Sequence, residues 1–180
     1  MAKKPAKSET LTLRLDPKTR FMVEFISRLR GQTITTVFER SIQDTADQAT
    51  FYDDDIHSDV NWQKFWDVEE GIRTLRIAMS KSLRPTYEEE RLLQFTDKFW
   101  PFFYTDIKCK IFVRVYISVL WERIEEFVEL DEKNRQNDYW TAGQAMEDVL
   151  KNAHVTPPRW KELLRVRNNS SDELDKDIPF

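Results

Sequence analysis

Glu9-Thr10-Leu11-Thr12-Leu13-Arg14-Leu15-Asp16-Pro17 opens the region that decides how this chain folds. Leu11, Leu13 and Leu15 alternate strictly with Thr10, Thr12 and Arg14, the period of a half-buried strand. Asp16-Pro17 then ends the strand and starts a helix. The Asp16 carboxylate can accept orphan backbone N–H groups, and Pro17 suits a first helical position that needs no donor. Phe21, Met22, Phe25, Ile26 and Leu29 follow at helical spacing on one stripe. Gly31 sits where a left-handed residue is wanted after a helix. Thr33 to Thr36 can cap a second helix, Thr36 with Glu39 matches a capping box, and Ile34, Val37, Phe38 and Ile42 form its apolar face.

A lone strand leaves both edges unpaired, and so few residues bury too little apolar area to fold alone. Both problems vanish if two copies pair, strand against strand, over an intertwined four-helix core. The expectation is an obligate homodimer, with a higher oligomer of dimers left open.

This stretch resembles the ribbon-helix-helix family of DNA-binding proteins. The resemblance rests on Leu11-Thr12-Leu13-Arg14-Leu15-Asp16-Pro17, the Phe21/Phe25/Leu29 helix, Gly31-Gln32-Thr33 and the helix to Ile42, about a quarter of the chain. It implies an antiparallel β-ribbon in the major groove of double-stranded DNA, with Thr10, Thr12 and Arg14 reading base edges. It also implies a phosphate gripped near Thr33, Thr35 and Thr36, where a helix N-terminus favours anions on independent physical grounds.

The 180 residues, with three glycines and 33% charged side chains, favour helices. The expected fold class is mainly α: the N-terminal ribbon-helix-helix unit, one strand per chain, followed by an all-α domain. The expected domains are a flexible basic arm over 1–8, the DNA-binding unit over 9–48, an acidic linker over 49–61, a helical domain over 62–166 and a disordered acidic tail over 167–180. Residues 1–40 hold nine Lys and Arg against four acids, a net of +5 within an overall −4, which leaves −9 for the remaining 140 residues. That asymmetry puts the nucleic-acid face at the N-terminus. Lys3, Lys4 and Lys7 in the arm are candidate phosphate contacts, the plainer alternative being a frayed terminus.

Beyond the linker, aromatics crowd between charges. Trp62, Phe65 and Trp66 form a short helical face, and Val68 to Met79 continues helical. Thr86, followed by Glu88, Glu89 and Glu90, is a helix start, and Pro101 stops that helix. Phe99-Trp100-Pro101-Phe102-Phe103-Tyr104 reads as core, with a ligand pocket or partner surface as the alternative. Ile107, Ile111, Val115, Val119, Ile124, Phe127 and Leu130 predict one long central helix from Asp106 to about Lys133. Further helices are expected over Tyr139 to Ala153 and, after Thr156-Pro157-Pro158, through Trp160, Leu163 and Leu164.

No Gly-rich phosphate loop, HxxxH or CxxC is present, so neither an enzyme nor a bound metal or cofactor is expected. His57 within Asp53-Asp54-Asp55-Ile56-His57-Ser58-Asp59 reads as part of a solvated connector and not a metal loop. Cys109, beside Lys108 and Lys110 on the expected helix, reads as a passive half-buried thiol. The longest apolar-rich stretch, Ile111 to Trp121, is too short to span a membrane, and no signal peptide follows Met1, so a cytoplasmic location with no membrane partner is expected. Two functions follow. One is a sequence-specific transcriptional regulator, most simply a repressor, binding operator DNA as a dimer, whose C-terminal domain takes a small ligand or a protein partner. The alternative is an interaction protein, such as an antitoxin or an accessory factor for plasmid or mobile-element DNA processing.

Overall fold

The computed structural model describes residues 10–54, 56–134 and 138–165. The expected basic arm over 1–8 and the expected acidic tail over 167–180 lie outside the described residues. The chain is mainly helical, with a small two-stranded antiparallel sheet, and divides into two compact units, Met1–Val68 and Glu69–Phe180.

In the first unit, α1 spans Pro17–Arg30 and α2 spans Ile34–Gln48. The start of α1 is local chemistry: Asp16 Oδ1 accepts from the N–H groups of Lys18 and Thr19 at 3.0 and 3.1 Å, and Oδ2 accepts from the Thr19 hydroxyl. These hydrogen bonds, the Thr19 hydroxyl foremost, hold the Asp16 carboxyl below its ordinary value. The end of α1 is equally local. Gly31 takes φ 61, its N–H donates to Arg28 O, and the Gln32 N–H donates to Ser27 O at 3.0 Å. That pair of bonds is a Schellman closure, and it needs a residue free to adopt the left-handed region. The N-cap of α2 is Thr33, whose Oγ1 accepts from the Thr36 N–H at 3.1 Å. The helix therefore begins ahead of the Thr36/Glu39 capping box expected from the sequence.

The acidic stretch over 49–61, expected as a linker, carries a hairpin: β1 (Phe51–Asp53) pairs antiparallel with β2 (Ser58–Val60), Phe51 opposite Val60. His57 takes φ 53 in its turn. The hairpin is fastened by a Lys64–Asp53 ion pair and by Phe51 and Phe65, whose rings stack at 6.0 Å. After Asn61, a single 3₁₀ turn over Trp62–Lys64 lets the Trp62 indole N–H donate to Asp47 Oδ1 at 2.7 Å, back onto α2.

The second unit holds α3 (Glu70–Met79), α4 (Tyr87–Lys98), α5 (Arg114–Leu120), α6 (Ile124–Asn134) and α7 (Thr141–Asn152), then a last helical stretch over 160–165. The start of α4 is a full capping box, with Thr86 Oγ1 accepting from the Glu89 N–H and Glu89 accepting from the Thr86 N–H. Ile72, Leu75, Phe99, Phe102, Phe103, Ile117, Leu120, Met146, Leu150 and Trp160 are its fully buried centre. The Phe99–Tyr104 stretch is thus core. Within it, the Thr96 hydroxyl and the Tyr104 hydroxyl lie 3.2 Å apart, and burial pushes the Tyr104 phenol above its ordinary range.

The long helix expected from Asp106 to Lys133 does not form as one element. Residues 105–113 are a loop closed by a Tyr104–Phe112 bridge, with Thr105 N–H donating to Ile111 O and Val113 N–H to Phe103 O, both at 2.9 Å. These bonds, across six and ten residues, claim backbone groups a helix would have used. Cys109, expected in that helix, takes φ 53 in the loop. Helical structure starts only at Arg114 and tightens to a 3₁₀ turn over Trp121–Arg123 before α6 begins. That tightening accompanies a close crossing: a Cβ on Gly71 of α3 would stand 2.4 Å from Trp121 Cδ2.

Candidate nucleic-acid interface

Thr10, Thr12 and Arg14, the expected base-reading residues, are all exposed, in a stretch over 10–16 with no regular secondary structure in the single chain. A strand is defined by the ladder it shares, and among the described residues this segment pairs with no strand. Lys3, Lys4 and Lys7 lie outside the described residues.

The expected phosphate site is at the start of α2. Thr33 supplies the N-cap, and its Oγ1 also lies 2.9 Å from Thr36 Oγ1. Thr33 claims the Thr36 N–H, so the first-turn N–H groups of Ile34 and Thr35 have no intrahelical acceptor. Thr33 and Thr35 are exposed and Thr36 is half-buried. The fold therefore brings Thr33, Thr35 and Thr36 together at one helix end, where the dipole and free donors favour an anion.

The decisive feature of this unit is apolar. Leu11 is 74% exposed, Phe21 66% and Leu29 73%, and Leu13, Leu15, Met22 and Phe25 are exposed as well. Phe21 and Phe25 stack on each other at 6.3 Å, still facing solvent. α1 buries no residue at all, and α2 buries only Val37. Along α2, a shallow groove of about 380 Å³ is lined by Phe38, Ser41, Ile42, Thr45, Ala46 and Ala49. An amphipathic pair of helices with its stripe facing water is an incomplete core.

In the same stretch Arg14, Lys18, Arg28 and Arg30 are exposed, while Arg20 pairs with Glu24 at 3.0 Å. The hairpin and the Trp62–Asp47 clasp escaped sequence reasoning. The pointers to them were Phe51-Tyr52 and Val60, strand-favouring residues on either side of an acidic turn.

Elsewhere, among the described residues no three His, Cys, Asp or Glu side chains converge as metal ligands, and no helix is long and apolar enough to cross a membrane. The Cys109 thiol donates to Asp97 Oδ1 at 3.4 Å. Compared with known proteins, the chain matches no family model, no curated protein and no solved structure.

Proposed function

We propose that this chain is a sequence-specific DNA-binding regulator of the ribbon-helix-helix kind, acting as a homodimer. The observation that carries the reading is the exposed apolar side of residues 11–29, which begins with a strand-patterned segment that pairs with no strand among the described residues. A second copy resolves both deficits at once: Leu11, Leu13 and Leu15 turn inward over paired α1 and α2 helices, and the alternation turns Thr10, Thr12 and Arg14 outward together. Burying a side chain such as Phe21, Phe25 or Leu29 contributes about 1.5–3 kcal/mol each, enough in aggregate to drive association.

On the outward side, the ribbon enters the major groove, where each base pair presents a distinct donor and acceptor pattern. Arg14 is the candidate for a bidentate guanine contact, and Thr10 and Thr12 neighbour thymine methyl groups. The start of α2 takes a flanking phosphate. The second unit, with its own dense core, supplies a platform for a partner or ligand.

The test is selection of bound sequences from random DNA at two salt concentrations, with sedimentation equilibrium of the free protein. The reading expects a dimer, a defined repeated half-site and a steep salt slope. A monomer with no sequence preference would overturn it.

A further inference from the structure

The hairpin over 51–60 has one packed face and one bare face. Phe51 stacks on Phe65, Asp53 pairs with Lys64 and Val60 is buried, so these three point into the unit. Strand alternation sends Tyr52 and Asp59 to the other face, and the register sets them directly opposite each other. Tyr52 is 54% exposed, and Asp54 and Asp59 are exposed as well. The Trp62–Asp47 clasp holds the hairpin at the C-terminal end of α2, about 22 Å along that helix from Thr33.

The charge here is of one sign. From Ser41 to Val68 the sequence holds seven aspartates, no glutamate, no arginine and a single lysine, a net of −6. Lys64 is taken by Asp53 on the packed face, Asp47 accepts from Trp62, and Asp67 is buried and engaged. Asp44, Asp54 and Asp59 are exposed and enter no ion pair among the described residues. Outside the stretch the nearest cation in sequence is Arg40, which is exposed and pairs with none of them, and His57 stands in the hairpin turn.

A ring beside an aspartate is how this molecule holds a lysine ammonium. In the second unit, Lys98 Nζ lies 4.2 Å from the centre of the Tyr139 ring and 2.5 Å from Asp131 Oδ1. On the packed face of the hairpin, Lys64 Nζ pairs with Asp53 and lies 5.8 Å from the centre of the Phe65 ring. The ring acts on the cation through its quadrupole and the carboxylate through its charge. Tyr52 with Asp59 is the same pair on the bare face, with no cation against it among the described residues.

We infer that the Tyr52 face docks a lysine- or arginine-bearing segment of a protein partner, one cation over the Tyr52 ring against Asp59 and the next against Asp54. A field of this sign draws such a segment in and turns nucleic acid away. Few groups take part, so the contact is weak and salt-sensitive. The face lies farther from the start of α2 than the screening length of about 10 Å at 0.1 M salt, and the inference does not rest on the DNA-binding reading.

The experiment is an amide-shift titration of the isotope-labelled full chain with a short oligolysine blocked at both ends, at about 0.1 M and 1 M NaCl, where the screening lengths are about 10 Å and 3 Å. At the lower salt the shifts centre on residues 51–60 and saturate, and at 1 M they vanish. Tyr52→Ala weakens binding about two- to fivefold, while Tyr52→Phe, which keeps the ring, does not. Asp54→Asn with Asp59→Asn weakens it about tenfold. Glu88→Gln with Glu90→Gln, exposed acids of the second unit, leaves it unchanged. Shifts spread over both units without a centre at the hairpin, or binding indifferent to Tyr52→Ala, would overturn the inference. So would tighter binding after Lys3→Gln, Lys4→Gln and Lys7→Gln, which would assign the face to the chain's own amino-terminal lysines. Saturable binding at the hairpin by a chain that selects no DNA sequence would count against the DNA-binding reading alone.

Discussion

Gly143 of α7 lies flat under the indole of Trp160: a Cβ placed on it would stand 2.5 Å from both Trp160 Cη2 and Cζ3. The indole is 1% exposed, packs on Phe102 and Trp140 with ring centres at 5.6 and 5.3 Å, and donates its N–H to Glu147 Oε2 at 2.8 Å. One side chain thus fastens the last helical stretch to α7.

Gly143→Ala should cost about 1–3 kcal/mol through overpacking, because the atoms in the way belong to a buried ring with nowhere to move. Trp160→Ala should cost about 3–5 kcal/mol through the cavity it leaves. Urea unfolding followed by near-ultraviolet circular dichroism would read both, and a Gly143→Ala midpoint equal to the parent's would contradict the packing described.

Gly31 makes the opposite case. Nothing lies within 4 Å of a Cβ placed there, so space is free and only its φ of 61 resists substitution. Gly31→Ala should cost about 1–2 kcal/mol by left-handed strain alone, and Gly31→Asn less, since asparagine tolerates that region. Thermal melts of the two variants should rank in that order.

Leu13→Asp or Phe25→Asp should reduce the chain to a monomer in sedimentation equilibrium and abolish DNA binding with it. Neither side chain belongs to the buried core of the single chain, and Phe25→Asp gives up only its surface stacking on Phe21. A variant that still sediments as a dimer would remove the basis of the proposed paired ribbon.

Arg14→Ala should weaken binding to the selected site by about 1–3 kcal/mol per contact and relax preference at one base position. Thr35→Ala, at the start of α2, should leave preference unchanged. A mobility-shift titration with a site logo separates them, and an unaltered logo for Arg14→Ala would reassign that residue to the phosphates.

Glu147 should give the second unit an acid-sensitive component of stability. The Lys151 ammonium, first, and the Trp160 indole N–H hold its carboxyl below the ordinary 4.5. A carboxyl depressed on folding adds stability that is complete above its ordinary value and fades as pH falls through the lower, folded value. Glu147→Gln keeps an acceptor for Trp160 but no charge, so its stability should fall less than the parent's between pH 5 and 3, as followed by urea midpoints across that range.

What the sequence determined by itself was the set of helix ends written in hydrogen bonds between near neighbours. Asp16 starts α1, Gly31 ends it, Thr33 starts α2 and Thr86 with Glu89 starts α4, and each acts on groups within about four residues of itself. The alternation of Leu11, Leu13 and Leu15 is of another kind: it is a pattern in the sequence, and residues 10–16 have no regular secondary structure in the single chain. Periodicity misled where a strand-like contact intervened. Ile107 and Ile111 recur at helical spacing, yet Thr105 and Val113 bond across the loop to Ile111 and Phe103, and the two isoleucines turn outward. These bonds span six and ten residues and the 51–60 hairpin nine, so the segments are local, and what selects a bridge over a helix is the burial of Phe103 and Tyr104 in the core. The seating of Trp160 on Gly143 likewise takes its energy from burial, which only the tertiary structure supplies.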